Sequence, residues 1–235
     1  MRIKDIFFFD KVISTQILAR EFISYKRDLM IVANEQEGGY GRYQRPWYSP
    51  VGGLYFSLLL NLEDREIFSL FDILFHILRS IVLACEETFS LKRKLQIKWP
   101  NDIYYEDRKL SGILAEKYNL SLICGCGMNL NNDKFPKELS NAISLKEILK
   151  REISSFEKFI FMENILKRLN YEKVNKRELL NFLKERNYLK DKKIKVLLPS
   201  KEEIIGVCED IDDDYSLILE KGIKILSGEV EKIFL

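Results

Sequence analysis

Apolar positions in the first 145 residues follow two patterns, short continuous runs and runs of helical period, which together predict a mixed α/β fold. The runs at 31–33 and 54–60 are typical of buried strands. Further strands are predicted from Ile97 onward and from Leu120 to Leu130, on either side of a turn. The segment contains no internal repeat, and the length of 235 residues predicts one domain, or one domain with a small appendage.

The most apolar stretch of the chain, from Ile67 to Phe89, predicts an amphipathic helix rather than a membrane span. Its polar residues recur at helical spacing, so we expect them to form one solvated face. A lone histidine on such a face is typical of a solvated or structural residue, and we expect it to have no catalytic role. The polar residues are Asp72, His76, Arg79 and Glu86.

A change of composition divides the rest of the chain. From Leu145 to Asp191 there is no glycine or proline, and Leu recurs among Lys, Glu and Asn at helical period, which predicts helices. After Asp191, β-rich runs separated by turn residues predict a small barrel of about 45 residues. We place the boundary near residue 190, giving domains 1–189 and 190–235. A barrel this small has little core, so we expect it to lean on the larger domain or on a second copy.

Composition excludes several classes of protein. With 46% hydrophobic and 31% charged residues, the chain is neither disordered nor fibrous. The net charge of +2 gives no overall electrostatic case for nucleic acid. The N-terminus lacks a secretory pattern, so we expect a cytoplasmic protein. No C-x-x-C pair is present, and we expect reduced, buried thiols at Cys85, Cys124, Cys126 and Cys208.

The segment 38–47, between two predicted strands, combines three glycines with two arginines. Glycines allow backbone N–H groups to approach a ligand closely, and Arg42 and Arg45 offer planar forks that suit carboxylate or phosphate. We interpret the segment as an anion-binding loop, and the alternative is a flexible surface turn. It lacks the context of a P-loop or of a dinucleotide-binding turn.

Two further segments carry candidate chemistry. The sequence around 98–118 predicts a strand, a turn and a returning strand, from which Lys109 could reach an anion held by the opposite loop. Asp102 could cap a turn or hold a metal-bound phosphate. Lys109 could equally be a solvated hairpin lysine. Asn129, after a glycine-containing strand, either reads the edge of a nucleobase or closes a turn.

Taken together, these segments resemble the biotin protein ligase family. GYGRYQRPWYSPVGGLYFSLLL, KWPNDIYYEDRKLSGILAE and GCGMNLN are similar to three signatures of that family, in the expected order, and Ser14-Thr15-Gln16 resembles a fourth. The resemblance implies a mixed sheet flanked by helices, as in class II aminoacyl-tRNA synthetases, and an SH3-like C-terminal barrel. Because the motif at Ser14 begins close to Met1, the chain resembles the short form without a DNA-binding domain, and we expect no DNA binding.

The resemblance also implies a two-step reaction. Biotin and ATP give biotinyl-5′-AMP and pyrophosphate, and the biotinyl group then passes to a lysine of a biotin carboxyl carrier protein domain. A carboxylate and a triphosphate repel each other, so the first step needs fixed cations and Mg²⁺. By this resemblance Arg42 and Lys109 are the catalytic cations. Mg²⁺ enters with ATP, and we assign no metal ligand of the protein's own.

The resemblance has further implications for the loop, for the assembly and for the residues that bind each substrate. Tyr40, Gln44 and Pro46 depart from the commonest pattern, in which arginine or histidine, then glycine, are frequent at the first two positions, and we expect them to restrict the loop. A role for Lys98 near the site is left open. Short members of the family are often dimers, so we expect a homodimer through an exposed edge of the main sheet. Biotin is assigned to Ser14, Thr15, Gln16, Gln36, Tyr40, Gly41, Arg42 and Lys109, and ATP to Arg45, Trp47, Asp102 and Asn129.

Two other functions remain open at this level. One is lipoate or octanoate attachment by a related fold, against which the tryptophan-bearing loop and KWPND argue. The other is a non-enzymatic binding module, which would leave Arg42, Lys109 and Asn129 without a shared purpose.

Overall fold

A seven-stranded mixed sheet forms the main layer of the computed structural model, which describes residues 3–63, 69–92, 94–171 and 175–234. Its strands lie in the order β1-β2-β3-β7-β6-β5-β4. The β1–β2 pair is parallel and the other pairs are antiparallel. The predicted mixed sheet is therefore confirmed. Its strands are β1 (Asp5–Val12), β2 (Leu29–Gln36), β3 (Leu54–Asn61), β4 (Leu95–Lys98), β5 (Asp102–Tyr105), β6 (Arg108–Tyr118) and β7 (Ser121–Met128).

The centre of this sheet is covered on both faces, which explains its continuous apolar runs. Residues 54–60 of β3 are all buried, including Ser57, and residues 29–33 of β2 are buried as well. Both runs belong to strands, as predicted. Strand β7 pairs with β3 on one side and with β6 on the other, which brings the glycine-containing segment 125–127 to the middle of the sheet.

Helices cover the sheet and connect it to the C-terminal part of the chain. The predicted helices are found, although residues 67, 68 and 172–174 of those predictions lie outside the described residues. Across the described ranges, no helix is both long enough and apolar enough to cross a membrane. The helices are α1 (Thr15–Glu21), α2 (Leu70–Phe89), α3 (Leu145–Leu149), α4 (Ser155–Tyr171) and α5 (Lys176–Glu185).

The polar side of α2 is buried, so the prediction of a solvated face was wrong. Asp72 accepts a hydrogen bond of 2.6 Å from the Tyr215 hydroxyl, and Arg186 binds the Glu86 carboxylate at 2.6 and 2.8 Å. His76 is only 1% exposed. Tyr215 and Arg186 both come from the C-terminal part of the chain, which packs on this face. Polar side chains at helical spacing thus serve here as buried partners for distant residues rather than for water.

A second, five-stranded antiparallel sheet follows the helices, in the order β11-β10-β9-β8-β12. The predicted strand IKILSGEV divides into two strands. In the described residues no ladder joins β11 to β12, so the sheet is not the closed barrel that we predicted; β10 and β11 have three residues each and offer few bonds for closure. The strands are β8 (Lys193–Leu197), β9 (Glu203–Ile211), β10 (Leu217–Leu219), β11 (Ile223–Ile225) and β12 (Glu229–Phe234).

The small sheet shares its core with the main domain, as expected for a module with few apolar residues of its own. The rings of Phe75 and Tyr215 lie 4.9 Å apart between centroids. The indole N–H of Trp99, from the turn after β4, donates to the carbonyl of Tyr215 at 3.0 Å. These contacts fix the second sheet against the segment that carries Lys98 and Asp102.

Candidate active site

A cavity of about 380 Å³ lies over β6 and β7, where the N-terminus of α1, the loop between β2 and β3, and the start of β12 meet. Its walls bring together every residue assigned to biotin or ATP from the sequence. Lys98, whose role was left open, lines it as well. The assigned residues are Ser14, Thr15, Gln16, Gln36, Tyr40, Gly41, Arg42, Arg45, Trp47, Asp102, Lys109 and Asn129.

One end of the cavity is a polar pocket built on the first turn of α1. Ser14 caps this helix by accepting from the backbone N–H of Gln16 at 3.2 Å. The Gln36 side-chain oxygen accepts from the Thr15 backbone N–H at 2.8 Å and from its hydroxyl at 3.1 Å. The Gln36 amide nitrogen donates to Ser49 at 2.9 Å. The Gln36 amide is therefore held in one orientation, with one of its two N–H groups bonded within the protein.

The side-chain amide of Gln16 is oriented in the opposite way to that of Gln36: both N–H groups of Gln16 bind the protein. Its side-chain nitrogen donates to Glu116 at 2.9 Å and to the carbonyl of Ile123 at 3.2 Å, which uses both N–H groups. Its oxygen accepts from the Ser57 hydroxyl at 3.0 Å. A Cβ placed on Gly125 would lie 2.5 Å from that oxygen, so a larger residue there would displace the hydrogen-bonded amide. The pocket thus combines an oriented amide oxygen at Gln16 with an oriented amide nitrogen at Gln36.

Sequence reasoning missed two residues that contact the walls of this pocket without lining it, Arg20 and Glu116. Arg20 binds the Glu116 carboxylate at 3.0 Å and also donates to the Tyr40 hydroxyl, which in turn donates to Glu116 at 3.1 Å. Burial and the adjacent Glu116 raise the pKa of Tyr40 to about 12. Burial alone would raise the pKa of Glu116, but hydrogen bonds from Gln16, Arg20 and Tyr40 hold it below its usual value. Glu116 closes the KLSGILAE motif, which was its one signal in the sequence.

A flat aromatic wall lies next to the polar pocket. The indole of Trp47 packs over Gly127 and Gly112, and a Cβ on Gly127 would overlap the indole nitrogen. That nitrogen is buried and has no hydrogen-bond partner within the described residues. The Lys109 ammonium lies 5.1 Å from the centroid of the indole ring. Glycines here allow an aromatic ring to lie directly on the sheet.

The opposite end of the cavity carries the positive charge. Lys109, at the start of β6, pairs with Asp102 at 2.8 Å. Burial, assisted by the Lys109 ammonium, lowers the pKa of Lys98 against the opposing effect of Asp102. Throughout the ranges that the structure describes, no group of three or more His, Cys, Asp or Glu side chains is placed to hold a metal ion. The four cysteines are free and buried.

The two loop arginines are bound by the C-terminal sheet. Arg42 donates to the carbonyl of Gly228 at 2.9 Å, and Arg45 pairs with the carboxylate of Glu229. The loop closes on itself as a short hairpin in which Tyr40 bridges Pro46. Gln44 has a φ of 58°, the left-handed conformation that glycine adopts most easily. Neither Gly228 nor Glu229 gave a signal in the sequence.

Asn129 lines the cavity, but its side chain also has a structural bond. Its amide nitrogen donates to the carbonyl of Ile143 at 3.1 Å, and its backbone N–H donates to Leu110 at 3.0 Å. Asn129 therefore closes the turn after β7, which is one of the two roles left open above. Its contact with a nucleobase stays a prediction.

Comparison with known proteins identifies the family. Residues 9–129, about half of the chain, match the model of the biotin/lipoate A/B protein ligase family, and the chain belongs to that family. The bifunctional ligase/repressor BirA of Salmonella typhimurium is 30% identical over 205 residues, covering 81% of this chain and 61% of that protein. BirA of Escherichia coli is 28% identical, with the same coverage. The chain thus spans about three fifths of the length of these curated relatives.

Solved structures extend the similarity beyond the family match. The biotin protein ligase from Aquifex aeolicus, in complex with biotin and ATP, superimposes with a TM-score of 0.81 at 28% identity. That match covers 96% of this chain and 97% of the Aquifex chain, so it includes the C-terminal sheet. The resemblance of the sequence motifs to biotin protein ligases is confirmed.

Proposed function

We propose that this protein is an ATP-dependent biotin protein ligase. It converts biotin and ATP to biotinyl-5′-AMP and pyrophosphate, and then transfers the biotinyl group to a lysine of a biotin carboxyl carrier protein domain. The observation that carries the proposal is a single cavity that joins an oriented polar pocket, a flat aromatic wall and a cationic end. These three parts match the ureido ring, the adenine and the reacting carboxylate and phosphates.

The polar pocket suits a cyclic urea. A urea offers two N–H donors and one carbonyl acceptor, and the pocket provides the oxygen of Gln16 and an N–H of Gln36. Ser14, Thr15 and the backbone of Gly41 complete the wall. The dithiolane ring of lipoate and the chain of octanoate offer no such donors, so binding either would leave buried polar groups without partners. The pocket therefore favours biotin over the lipoate alternative.

The cationic end brings the two negatively charged substrates together. In the first step a carboxylate oxygen of biotin attacks the α-phosphorus of ATP, and pyrophosphate leaves with the electrons of the broken P–O bond. Arg42 and Lys109 stabilise the charge that develops on the α-phosphate. Arg45 and Asp102 serve the phosphates and the Mg²⁺ that enters with ATP, Trp47 packs on the adenine, and Asn129 contacts its edge.

The second step needs protection from water. An acyl adenylate hydrolyses when it is exposed, and the loop that carries Arg42 forms one wall of the cavity together with Glu229. The deprotonated amine of the carrier lysine attacks the acyl carbon, AMP leaves with the electrons of the C–O bond, and the nitrogen, now bonded to that carbon, loses a proton to give the amide.

The oligomeric state and location are parts of the same proposal. We propose a cytoplasmic homodimer joined through β1, the outer strand of the main sheet, where Phe8 is 64% exposed. A concentration-independent monomer in analytical ultracentrifugation would contradict the dimer without affecting the proposed reaction.

One incubation tests the reaction itself. The protein is mixed with ATP, Mg²⁺, a carrier domain and either biotin, lipoate or octanoate, and the carrier is analysed by mass spectrometry. We expect one lysine to gain one biotinyl group, with no lipoyl or octanoyl product. Lipoylation or octanoylation would support the related acyltransferase, and an unmodified carrier with every acid would support a binding module.

A further inference from the structure

Glu116 joins three elements around the polar end of the cavity. It projects from β6 and accepts hydrogen bonds from Gln16 and Arg20 of α1. It also accepts one from Tyr40 of the glycine loop, the segment 38–47 between β2 and β3. Its side chain is 22% exposed and that of Arg20 is 35% exposed, so the cluster is partly shielded from water. None of these bonds touches the cationic end, where Lys109 pairs with Asp102.

The bond from Gln16 matters because a carboxamide has two different ends. A carboxylate accepts hydrogen bonds and does not donate them, so Glu116 can bind the nitrogen of Gln16 but not its oxygen. The carbonyl of Ile123, 3.2 Å from the same nitrogen, imposes the same choice. With both N–H groups used, the oxygen of Gln16, which accepts one hydrogen bond from Ser57, has one acceptor position left for a ligand. It lies directly above Gly125, where the absence of a side chain allows the oxygen to approach the sheet.

Arg20 and Tyr40 keep Glu116 in the form that can make this choice. A protonated carboxyl group or a neutral amide at position 116 would be a weaker acceptor for the nitrogen of Gln16, and would leave the carbonyl of Ile123 as the one strong acceptor that orients it. The guanidinium and the phenol both donate to the carboxylate, which favours the ionised form.

We propose that Glu116 is a positioning residue that fixes the Gln16 amide with its oxygen toward the cavity, so that the pocket selects a ligand presenting an N–H group at this point. The inference rests on the proposed function, because the N–H would be one of the two in the ureido ring of biotin. Glu116 itself does not contact the ligand. It excludes acids without an N–H through the orientation of its neighbour.

The decisive variant is Glu116→Gln, which keeps the shape but removes the negative charge and leaves one neutral oxygen to accept from Gln16, Arg20 and Tyr40 together. We expect the KM for biotin to rise about 10- to 100-fold, as when a buried polar group loses its partner, while kcat and the KM for ATP stay within about twofold. Direct calorimetric titration with biotin alone should give the same loss. An effect on stability alone would not separate the two substrates in this way.

Ligand analogues test the orientation of the amide. Two cyclic carbamates are used, in each of which one ring N–H of biotin is replaced by oxygen. We expect the native protein to bind one of the two about 10- to 100-fold more weakly than biotin, and this preference to fall to about threefold or less in Glu116→Gln. An unchanged preference in the variant would overturn the proposal.

Glu86→Gln serves as the matched control, because Glu86 also binds an arginine through both oxygens but lies on α2, outside the cavity. We expect it to lower thermal stability and to leave the KM for biotin unchanged. If Glu116→Gln does not fold, Glu116→Asp replaces it. The aspartate keeps the acceptor but has a shorter reach. We expect it to raise the KM for biotin and to retain the preference for the urea.

The outcomes separate two failures. If the native protein activates biotin but the variants at position 116 raise the KM for biotin and for ATP equally, or raise neither, the positioning role is wrong and the proposed function stands. If the native protein neither binds nor activates biotin, both are wrong.

Discussion

The two ends of the cavity are built differently. At the polar end, the amides of Gln16 and Gln36 are fixed by bonds within the main domain, to Glu116, Ile123, Thr15 and Ser49. At the cationic end, Arg42 and Arg45 are held by Gly228 and Glu229 of the C-terminal sheet, and the Arg45 side chain is 62% exposed. The groups of the first end are already ordered, whereas at the second end phosphates must compete with contacts already made.

This difference predicts that the polar end determines which acid binds and that the cationic end couples nucleotide binding to the loop. A preformed polar pocket costs little to order on binding and therefore favours selectivity. A cationic end that exchanges protein contacts for phosphate contacts couples nucleotide binding to the position of the glycine loop. We therefore expect substitutions at the two ends to affect different substrates.

Loss of the cationic end should have the largest effect. Lys109→Ala removes the ammonium beside Asp102 and should lower the rate of biotinyl-5′-AMP formation about 10²- to 10³-fold, as for other groups that stabilise charge in a transition state. Single-turnover release of pyrophosphate measures the rate. Lys146→Ala, which removes a lysine paired with Asp133 and Glu152 outside the cavity, is the control. A near-native rate in Lys109→Ala would contradict its assignment.

Two glycines of β7 give the sharpest contrast between the ends. A methyl group at Gly125 would meet the Gln16 oxygen, so Gly125→Ala should raise the KM for biotin by about tenfold or more. A methyl group at Gly127 would meet the Trp47 indole, so Gly127→Ala should raise the KM for ATP by about the same factor. Gly206→Ala in the C-terminal sheet, where the nearest atoms are 3.4 Å from the new methyl, should change neither. If both β7 variants raise both constants equally, the two ends are not separate.

The loop should retain the intermediate through Arg42. Arg42→Ala removes the bond to Gly228 as well as a cation, so we expect the rate at which biotinyl-5′-AMP leaves the protein to rise about tenfold. Rapid filtration with labelled biotin measures this rate, and slow labelling of lysines on a bystander protein follows from it. Retention as tight as in the native protein would show that the loop does not close the site.

The smallest effect should be a pH dependence of stability at the polar end. The pKa of Glu116 is lowered by folding, so its contribution is present above its usual value of 4.5 and is lost as the pH falls through the lower folded pKa. Glu116→Gln should therefore reduce the free energy of unfolding by about 1 kcal/mol at pH 7, and by less as the solution is acidified below pH 4.5. Urea unfolding at several pH values measures this. A constant difference across that range would contradict the ionised cluster.

The sequence predicted the parts of the site that lie within contiguous motifs. The sequence predicts Lys109 at the start of a returning strand, and it lies at the start of β6, where its ammonium pairs with Asp102 at the start of β5. The glycine loop lies between two strands as expected. Local patterns of turns and strands determine these placements, so they can be read from neighbouring residues.

What could not be predicted depends on residues far apart in the chain. Arg20 and Glu116 are 96 positions apart, and Arg42 and Gly228 are 186 apart. Asp72, assigned to a solvated face, is buried because Tyr215 packs against it. Periodicity identifies a polar face of a helix but not whether water or another polar side chain will satisfy it.

Exchange of labelled pyrophosphate into ATP, with biotin present and no carrier domain, tests the central claim most directly, since it reports adenylation within this one cavity. We predict exchange that depends on biotin, that lipoate and octanoate do not support, and that is lost in Lys109→Ala. Exchange supported equally by lipoate, or unaffected by loss of the Lys109 ammonium, would contradict the account.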